Sequence, residues 1–274
     1  MPATWKKIVR GLTPPLLVDA YLDRFRAVRY TGEYATWAEA SARGTGYDAP
    51  NILRQVTEAA RAVRDGKAAF ERDGVLFQDP AYNWPLMTCL LREAAKHDGE
   101  LRVLDFGGSL ASIYFQHRAL LRDVAAIRWA VVEQAMFVEA GRREFTSDEL
   151  SFHATADEAI AAIRPTVALF SGVLAWIEDP HAVLDTVIRA RLPAIIIDRT
   201  PLTPLERDVA KVQHVPASIY RASYPCWFLS RRRFLAHFEG RYTLRAELPQ
   251  HDPHVKGTDF GGLYFEQVGK DGGR

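Results

Sequence analysis

The pattern of hydrophobic and polar positions changes near residue 99. Before it, apolar residues recur at helical spacing and no strand alternation stands out, as in the stretch that begins at Pro50 and ends at Gly66. Further helices are predicted over 16–28, from a capping box at Thr36 to Glu39, and over 84–96. We therefore expect residues 1–98 to form a helical N-terminal extension or cap.

From residue 99 onward, short apolar runs alternate with helical patterns. The predicted strands are 101–105, 127–132, 150–153, 166–171 and 193–198. The predicted helices are 110–122, 135–145, 157–163 and 180–190, with Asp157 and Asp179 as N-caps. Strands joined by crossover helices predict a parallel sheet with helices on both faces.

The C-terminal region breaks this rhythm. An apolar run at 226–230 and a helix at 231–238 are followed by strands at 241–248 and 261–268, with no room for a substantial crossover helix. The predicted fold class is therefore α/β. A Rossmann-like domain over 99–274, whose parallel sheet ends in an antiparallel strand pair, follows the N-terminal helical extension.

Composition narrows the function classes. The 274 residues are 48% hydrophobic and 25% charged, with a formal net charge of +1, so nothing drives general binding to nucleic acid or to an acidic membrane. Two distant cysteines, Cys89 and Cys226, argue against a disulfide framework and a zinc site, and no metal is predicted. No apolar run approaches the roughly 18 residues of a membrane span, so we expect a cytoplasmic protein.

The turn after the first predicted strand carries the main functional signal. Asp105 ends that strand, Gly107 and Gly108 follow, and a helix begins soon afterwards. Such a turn presents backbone amides to a ligand. The next apolar run ends in Glu133, an acid well placed to bind both hydroxyls of a ribose. Together these features predict a nucleoside-containing cofactor.

The spacing of the turn discriminates between cofactors. It fails the G-x-G-x-x-G template of dinucleotide-binding proteins and fits acid-x-Gly-x-Gly-x-Gly, with Ser109 and Ala111 at the second and third glycine positions. S-adenosylmethionine carries no phosphate and tolerates a turn with fewer glycines. The small side chains of Ser109 and Ala111 still allow a close approach of the backbone to a ligand, but only if the φ angles at these positions stay below zero.

The chain resembles a family of methyltransferases whose members often lie in bacterial polysaccharide or specialised-metabolite gene clusters. The matching segments are Tyr34-Ala-Thr-Trp37-Ala-Glu39-Ala40, Gly46-Tyr47-Asp48, Leu104-Asp-Phe-Gly-Gly-Ser109, Trp129-Ala-Val-Val-Glu133-Gln134, Ser171-Gly-Val-Leu174, Glu178-Asp-Pro180, Asp198-Arg-Thr-Pro201 and Val215-Pro216. The resemblance covers most of the chain from about residue 30 to 268 and implies a class I S-adenosylmethionine-dependent methyltransferase.

The resemblance also implies roles for single residues in cofactor binding. Asp105 would organise the methionine end of S-adenosylmethionine, with Gly107, Gly108 and Ser109 lining the turn. Glu133 would bind the ribose, with Gln134 beside the adenine, and Ser171 and Gly172 would face the cofactor from the other side. The acid expected near the adenine is missing, because Ala154-Thr155-Ala156 occupies that stretch.

The acceptor and the cofactor should meet outside the carboxyl ends of the parallel strands. The segment after the fifth predicted strand begins with Asp198 and Arg199, and Thr203 to Glu206 has the spacing of a capping box. Residues 213–225 are polar and aromatic, which predicts a long loop that acts as a lid or as a wall of the acceptor site.

Candidate catalytic residues lie in these two segments. His214 is the first candidate for the general base, and the acceptor should meet the sulfonium near His214, Tyr220 and Tyr224. Asp198 could hold the acceptor or pair with Arg199. Arg199 and Arg221 are the candidates for binding an anionic group of the substrate.

The sequence therefore predicts a biosynthetic transferase that methylates a small molecule or a glycan precursor by in-line transfer, most simply at oxygen. Two alternatives stay open, a catalytically silent methyltransferase-like scaffold in a biosynthetic complex and a nicotinamide-dependent oxidoreductase. The failed glycine spacing disfavours the second. A homodimer is compatible with either reading.

Overall fold

A computed structural model describes residues 28–46, 49–216, 222–248 and 260–269. Most of the predicted helix over 16–28 lies outside them. The strands and helices follow one another as β1 (Arg29–Tyr34), α1 (Trp37–Ser41), α2 (Ala49–Arg64), β2 (Phe70–Arg72), β3 (Val75–Phe77), α3 (Trp84–Lys96), β4 (Glu100–Phe106), α4 (Ser112–His117), β5 (Ala126–Val132), α5 (Ala135–Glu144), β6 (Leu150–His153), α6 (Ala156–Ile163), β7 (Val167–Ser171), α7 (Pro180–Arg189), β8 (Ala194–Asp198), β9 (Leu202–Thr203), β10 (Val209–Val215), β11 (Ala222–Ser230), α8 (Arg231–Ala236), β12 (Tyr242–Leu248) and β13 (Gly262–Gln267). Single 3₁₀ turns occupy Arg118–Leu120 and Leu174–Trp176.

The central sheet has seven strands in the order β12-β13-β8-β7-β4-β5-β6. Strands β4 to β8 pair in parallel, whereas β13 is antiparallel to both β8 and β12. This confirms the predicted fold class, a Rossmann-like sheet closed by an antiparallel C-terminal pair. The strand predictions succeeded because parallel strands covered on both faces are nearly continuous apolar runs; all five residues of β8 are buried.

The strand order changes direction at β4. The chain proceeds from β4 to β5 and β6 on one side and then returns to β7 and β8 on the other. Phe106 of β4 is in register with Val132 of β5 and with Phe170 of β7, and Ser171 of β7 is in register with Asp198 of β8. The carboxyl ends of four strands therefore meet around one switch point, where ligands bind in open α/β sheets.

A second, accessory sheet has the strand order β1-β10-β11-β9. It corrects two expectations. Most of the long loop predicted over 213–225 belongs to the antiparallel pair β10–β11, and the segment before residue 99 contains strands as well as helices, because β1 pairs with β10 and β2 pairs with β3. Strand β1 is mostly polar and exposed, so it lacks the alternation that identifies a strand.

The helix ends show which capping signals were read correctly. The capping box of Thr36 and Glu39 is present at α1, and Asp179 caps α7 by accepting from Ala182 N at 3.0 Å. The prediction for Asp157 was wrong: Thr155 caps α6 by accepting from Glu158 N at 3.2 Å, and Asp157 lies in the first turn.

The capping box predicted at Thr203 does not begin a helix. Thr203 ends the short strand β9, and its Oγ1 accepts from Leu205 N at 3.3 Å. A hydroxyl two residues before an amide closes a local turn as readily as it caps a helix, so the spacing alone was ambiguous.

Asp208 joins the accessory sheet to two helices of the main domain. Its Oδ1 accepts from Ser230 N at 2.7 Å, and its Oδ2 lies 2.6 Å from Arg233 Nη1 and 3.0 Å from His181 Nε2. His181 lies on α7, and its ring stacks on that of His237 with 2.7 Å between Nδ1 and Nε2. This cluster fixes the strands that precede α8 against α7.

The turn between β4 and α4 has a left-handed backbone at three positions. The φ angle is +70° at Gly107, +55° at Ser109 and +66° at Ala111. Ser109 and Ala111 therefore do not meet the condition of a negative φ angle, and both adopt a conformation that glycine adopts without steric cost. A left-handed conformation costs a residue with a side chain roughly 1–2 kcal/mol.

This strain leads to a stability prediction. Ser109→Gly should raise the free energy of unfolding by about 0.5–1 kcal/mol, because glycine adopts a positive φ without steric cost. Part of that gain is lost because glycine also raises the conformational entropy of the unfolded chain. The matched change Ser41→Gly, at an exposed helical position in α1, should lower it instead. Urea unfolding of both variants measures the two signs. A loss of stability in Ser109→Gly would contradict a strained turn.

Candidate functional site

Four predicted site residues lie at the carboxyl edge of the central sheet. Asp105 is the second-last residue of β4, and Ser171 is the last residue of β7. Glu133 directly follows β5, and Asp198 is the last residue of β8. The backbone N–H of Gly107 donates to the carbonyl of Val132 at 2.8 Å, which brings the β4–α4 turn against the end of β5. The fold thus gathers three residues predicted to bind a cofactor and Asp198, a candidate catalytic residue, on one edge.

Glu133 faces the β4–α4 turn. Burial raises the pKa of its carboxyl, while the backbone N–H groups of Gln134 and Ser109 stabilise the charged form. The N–H of Gln134 lies 2.7 Å from Glu133 Oε2. A carboxylate has about four acceptor positions, so two backbone donors orient it and leave capacity for further hydroxyl donors.

Asp105 is a buried acid with an unused oxygen. Its Oδ2 accepts from the indole Nε1 of Trp129 at 2.9 Å, and among the described residues its Oδ1 has no hydrogen-bond partner. Burial raises the pKa of Asp105 to about 7; the Trp129 bond opposes this, and the charge of Glu133 adds to it. A buried acid with an orphaned oxygen needs a donor, and a cationic one would favour its ionised form.

The two glycines of the turn are required by the packing of the protein itself. A Cβ on Gly108 would lie 2.4 Å from Asp105 Oδ2, and a Cβ on Gly107 would lie 2.1 Å from Val173 Cγ2. Any side chain at either position would displace the acid or the loop after β7. Their direct contact with a cofactor stays a prediction.

Ser171, Asp198 and Asn83 form a polar cluster beside the turn. Asp198 is fully buried; its Oδ2 accepts from Ser171 Oγ at 2.6 Å, and its Oδ1 accepts from Asn83 Nδ2 at 3.2 Å. The amide oxygen of Asn83 caps α3 by accepting from Leu86 N. Asp198 therefore ties the ends of β7 and β8 to the start of α3.

His117 contacts the backbone of Asn83 as a neutral ring. Its Nδ1 lies 2.9 Å from the carbonyl of Ile113, and its Nε2 accepts from the backbone N–H of Asn83 at 3.0 Å. Burial lowers the pKa of His117. Sequence reasoning missed Asn83, His117 and Trp129; the N-cap position of Asn83 before Trp84-Pro85 was the one available signal.

Arg199 reaches back over the end of β7. Its φ angle is +49°, and its Nη2 donates to Ser171 Oγ at 3.2 Å. The guanidinium lies 3.2 Å from the position of a Cβ on Gly172. Arg199 Nε lies 3.5 Å from Asp198 Oδ2, so these neighbours form an ion pair, which is one of the two roles expected for Asp198.

His214 and Tyr224 lie on opposite faces of the accessory sheet. Tyr224 is directly across from Gln213, whose Oε1 accepts from Trp176 Nε1 at 2.7 Å. His214, the next residue of β10, points the other way and contacts Thr31 Oγ1 through Nε2 at 2.8 Å. The expectation that one acceptor meets both residues was wrong, since neighbours on a strand alternate between faces. Tyr220 and Arg221 lie outside the described residues.

The strand β6 ends at His153, and the three residues that follow it, 154–156, include no acid. His153 Nε2 lies 2.9 Å from Ser151 Oγ, and burial lowers the pKa of His153. Gln134 is exposed at the N-cap of α5, on the same edge of the sheet. The predicted adenine side is therefore polar without a second carboxylate at 154–156.

The described ranges contain no group of three or more His, Cys, Asp and Glu side chains arranged to hold a metal ion. No helix in the same ranges is long and apolar enough to cross a membrane.

Comparison with known proteins finds neither a matching family model nor a matching curated protein. Solved structures that resemble the chain include the 1,6-didemethyltoxoflavin-N1-methyltransferase of Burkholderia thailandensis, bound to 1,6-didemethyltoxoflavin and S-adenosylhomocysteine, at 13% identity over 82% of this chain and 92% of that chain, with a TM-score of 0.42. CalS10, an amino pentose methyltransferase from Micromonospora echinaspora, has 12% identity over 78% of this chain and 97% of that chain, with a TM-score of 0.45. The cyclase SpnF has 14% identity over 80% and 96%, with a TM-score of 0.45. Because these scores are low, the assignment of the fold rests on the strand order and register.

Proposed function

We propose that this protein transfers the methyl group of S-adenosylmethionine to an oxygen of a small molecule or glycan precursor. The observation that carries the proposal is the position of Glu133 opposite the left-handed turn at 105–111, across the carboxyl ends of the adjacent strands β4 and β5. These two elements would hold the same adenosyl group.

The donor groups of S-adenosylmethionine fit the unused acceptors of the site. The vicinal hydroxyls of the ribose would donate to Glu133, whose carboxylate is oriented by two backbone N–H groups. The ammonium of the methionine end would donate to the orphaned Oδ1 of Asp105. Gln134 would lie beside the adenine, and Ser171 and Gly172 would face the sulfonium from β7.

A dinucleotide fits the same site less well. The turn lacks the G-x-G-x-x-G spacing that lets a backbone approach a pyrophosphate closely, which disfavours the nicotinamide-dependent alternative.

The bound cofactor supplies a methyl group on a positively charged sulfur, so the chain must align an acceptor and remove its proton. We place the acceptor between Ser171 and the face of the accessory sheet that carries Gln213 and Tyr224. Ser171 Oγ would take the hydroxyl proton of the acceptor and pass its own to Asp198 Oδ2, along the existing 2.6 Å hydrogen bond. His214 faces away from this side of the sheet.

This arrangement gives residues before 99 a role as a cover for the site. Strand β1 contributes to the accessory sheet, and α3 presents Asn83 to Asp198. We propose that the segment 1–98 acts as a cap on the methyltransferase domain 99–274.

The contact with ribose is tested by Glu133→Gln. The variant should bind S-adenosylhomocysteine about 10- to 100-fold more weakly in isothermal titration, because hydrogen bonds to a charged acceptor become neutral ones. The matched variant Glu139→Gln, on the exposed surface of α5, should bind as the native protein does. Absence of binding by the native protein would overturn the proposal.

The role of Asp105 predicts a pH dependence. Since burial raises the pKa of Asp105 to about 7, the carboxyl is mostly protonated at pH 6 and mostly ionised at pH 8. The affinity for the cationic amine of S-adenosylhomocysteine should therefore rise about 10-fold between these values. In Asp105→Asn the dependence should disappear. An unchanged slope in that variant would show that another group titrates.

The proton path is tested by Asp198→Asn, which keeps an oxygen for Asn83 to bond. Release of S-adenosylhomocysteine, measured with a panel of sugars and phenols, should slow by about 100-fold or more. The Kd for S-adenosylhomocysteine should stay within about 3-fold of native, because the side chain is behind Ser171. Native turnover rates in Asp198→Asn would exclude this path.

A further inference from the structure

Arg199 has four properties that its expected role, binding an anionic group of the acceptor, does not explain. Its backbone is left-handed, at φ +49°. Its side chain crosses from β8 over Gly172 at the end of β7, toward the centre of the sheet. Its Nε is buried and, within the described part of the chain, makes no hydrogen bond. Its positive charge opposes the rise in the pKa of Asp105, which lies near the end of β4.

The direction of the side chain separates two possible ligands. Strands β4, β7 and β8 are neighbours in that order, so a guanidinium that starts on β8 and lies over β7 approaches the β4–α4 turn. An acceptor would instead enter from the accessory sheet. The left-handed backbone of Arg199 indicates that the surroundings hold this residue in place, because such a conformation persists only where the surroundings fix it.

Asp105 and Arg199 together form a pair of opposite charges with unused hydrogen-bonding capacity. Asp105 offers an acceptor with no partner, and Arg199 offers donors beyond the bond to Ser171. The two side chains have different partners. Asp105 accepts from Trp129, whereas Arg199 contacts Ser171 and Asp198, so the two charges do not neutralise each other by direct contact. A ligand that carries an ammonium and a carboxylate on one carbon satisfies both.

We propose that Arg199 binds the α-carboxylate of the amino-acid end of the cofactor, opposite the ammonium held by Asp105. The assignment rests on the proposed function, since it names the part of S-adenosylmethionine that Arg199 binds. It replaces the earlier expectation that Arg199 binds an anionic group of the acceptor. The site then selects zwitterionic adenosyl compounds over adenosyl thioethers that lack the amino acid.

Three ligands that differ at one end test this assignment by calorimetry. S-adenosylhomocysteine has both charges, its decarboxylated analogue 5′-(3-aminopropylthio)-5′-deoxyadenosine keeps only the ammonium, and 5′-methylthioadenosine has neither. Arg199→Met should weaken binding of S-adenosylhomocysteine about 30-fold. The same variant should bind the other two ligands within about 3-fold of the native protein.

The control variants separate charge, strain and folding. Arg199→Lys should lose part of the affinity, because it keeps the charge without the planar pair of donors. Methionine is as strained as arginine at a positive φ, so Arg199→Met leaves the cost of the backbone strain unchanged. Arg102→Met removes an arginine that bonds the carbonyl of Arg164, away from the carboxyl edge, and should leave all three affinities unaltered. Thermal unfolding confirms that each variant is folded.

The outcomes distinguish the inference from the function on which it rests. An equal loss for all three ligands, or no loss for S-adenosylhomocysteine, would overturn the role of Arg199 while leaving the methyltransferase proposal intact. Failure of the native protein to bind any adenosyl compound would overturn the proposed function itself. A loss specific to S-adenosylhomocysteine supports the carboxylate contact.

Discussion

The stabilisation of the Glu133 carboxylate by main-chain N–H groups is the interaction on which the site depends. One donor, Gln134, belongs to the start of α5, and the other, Ser109, belongs to the turn between β4 and α4. The carboxylate thus connects the ends of two parallel strands without using any other side chain. Ser109 donates this bond from a turn in which its own backbone is left-handed.

The site combines this interaction with two costly features. Asp105 is buried with one oxygen unpaired in the described structure, and Ser109, Ala111 and Arg199 have backbone angles that favour glycine. Proteins retain such features where the surroundings hold them in place. Here Trp129 holds the Asp105 carboxyl, and Ser171 and Asp198 hold the side chain of Arg199.

Sequence patterns predicted the central strands β7 and β8 most directly, because these are buried on both faces and are therefore nearly continuous apolar runs. They failed at β1, whose exposed polar residues carry no such run and whose partner is remote in the sequence. The positions of Asp105 and Glu133 could be predicted, since each directly ends a predicted strand. Their partners could not: Trp129 and Asn83 reach the site through side-chain directions that only the packed structure determines. Once 209–215 is seen to be a strand, the separation of His214 from Tyr224 follows from alternation alone.

The pairing of β1 with β10 has a consequence for how the molecule folds. Thr31 and His214 are in contact although 183 positions separate them along the chain. Closing so large a loop is entropically unfavourable until the intervening chain has become compact. The strands β4 to β8 lie within that interval, and their pairings join residues no more than 64 positions apart. The edge of the sheet that carries Asp105 and Glu133 should consequently form during folding before the accessory sheet is complete, so the two parts of the molecule are assembled in sequence.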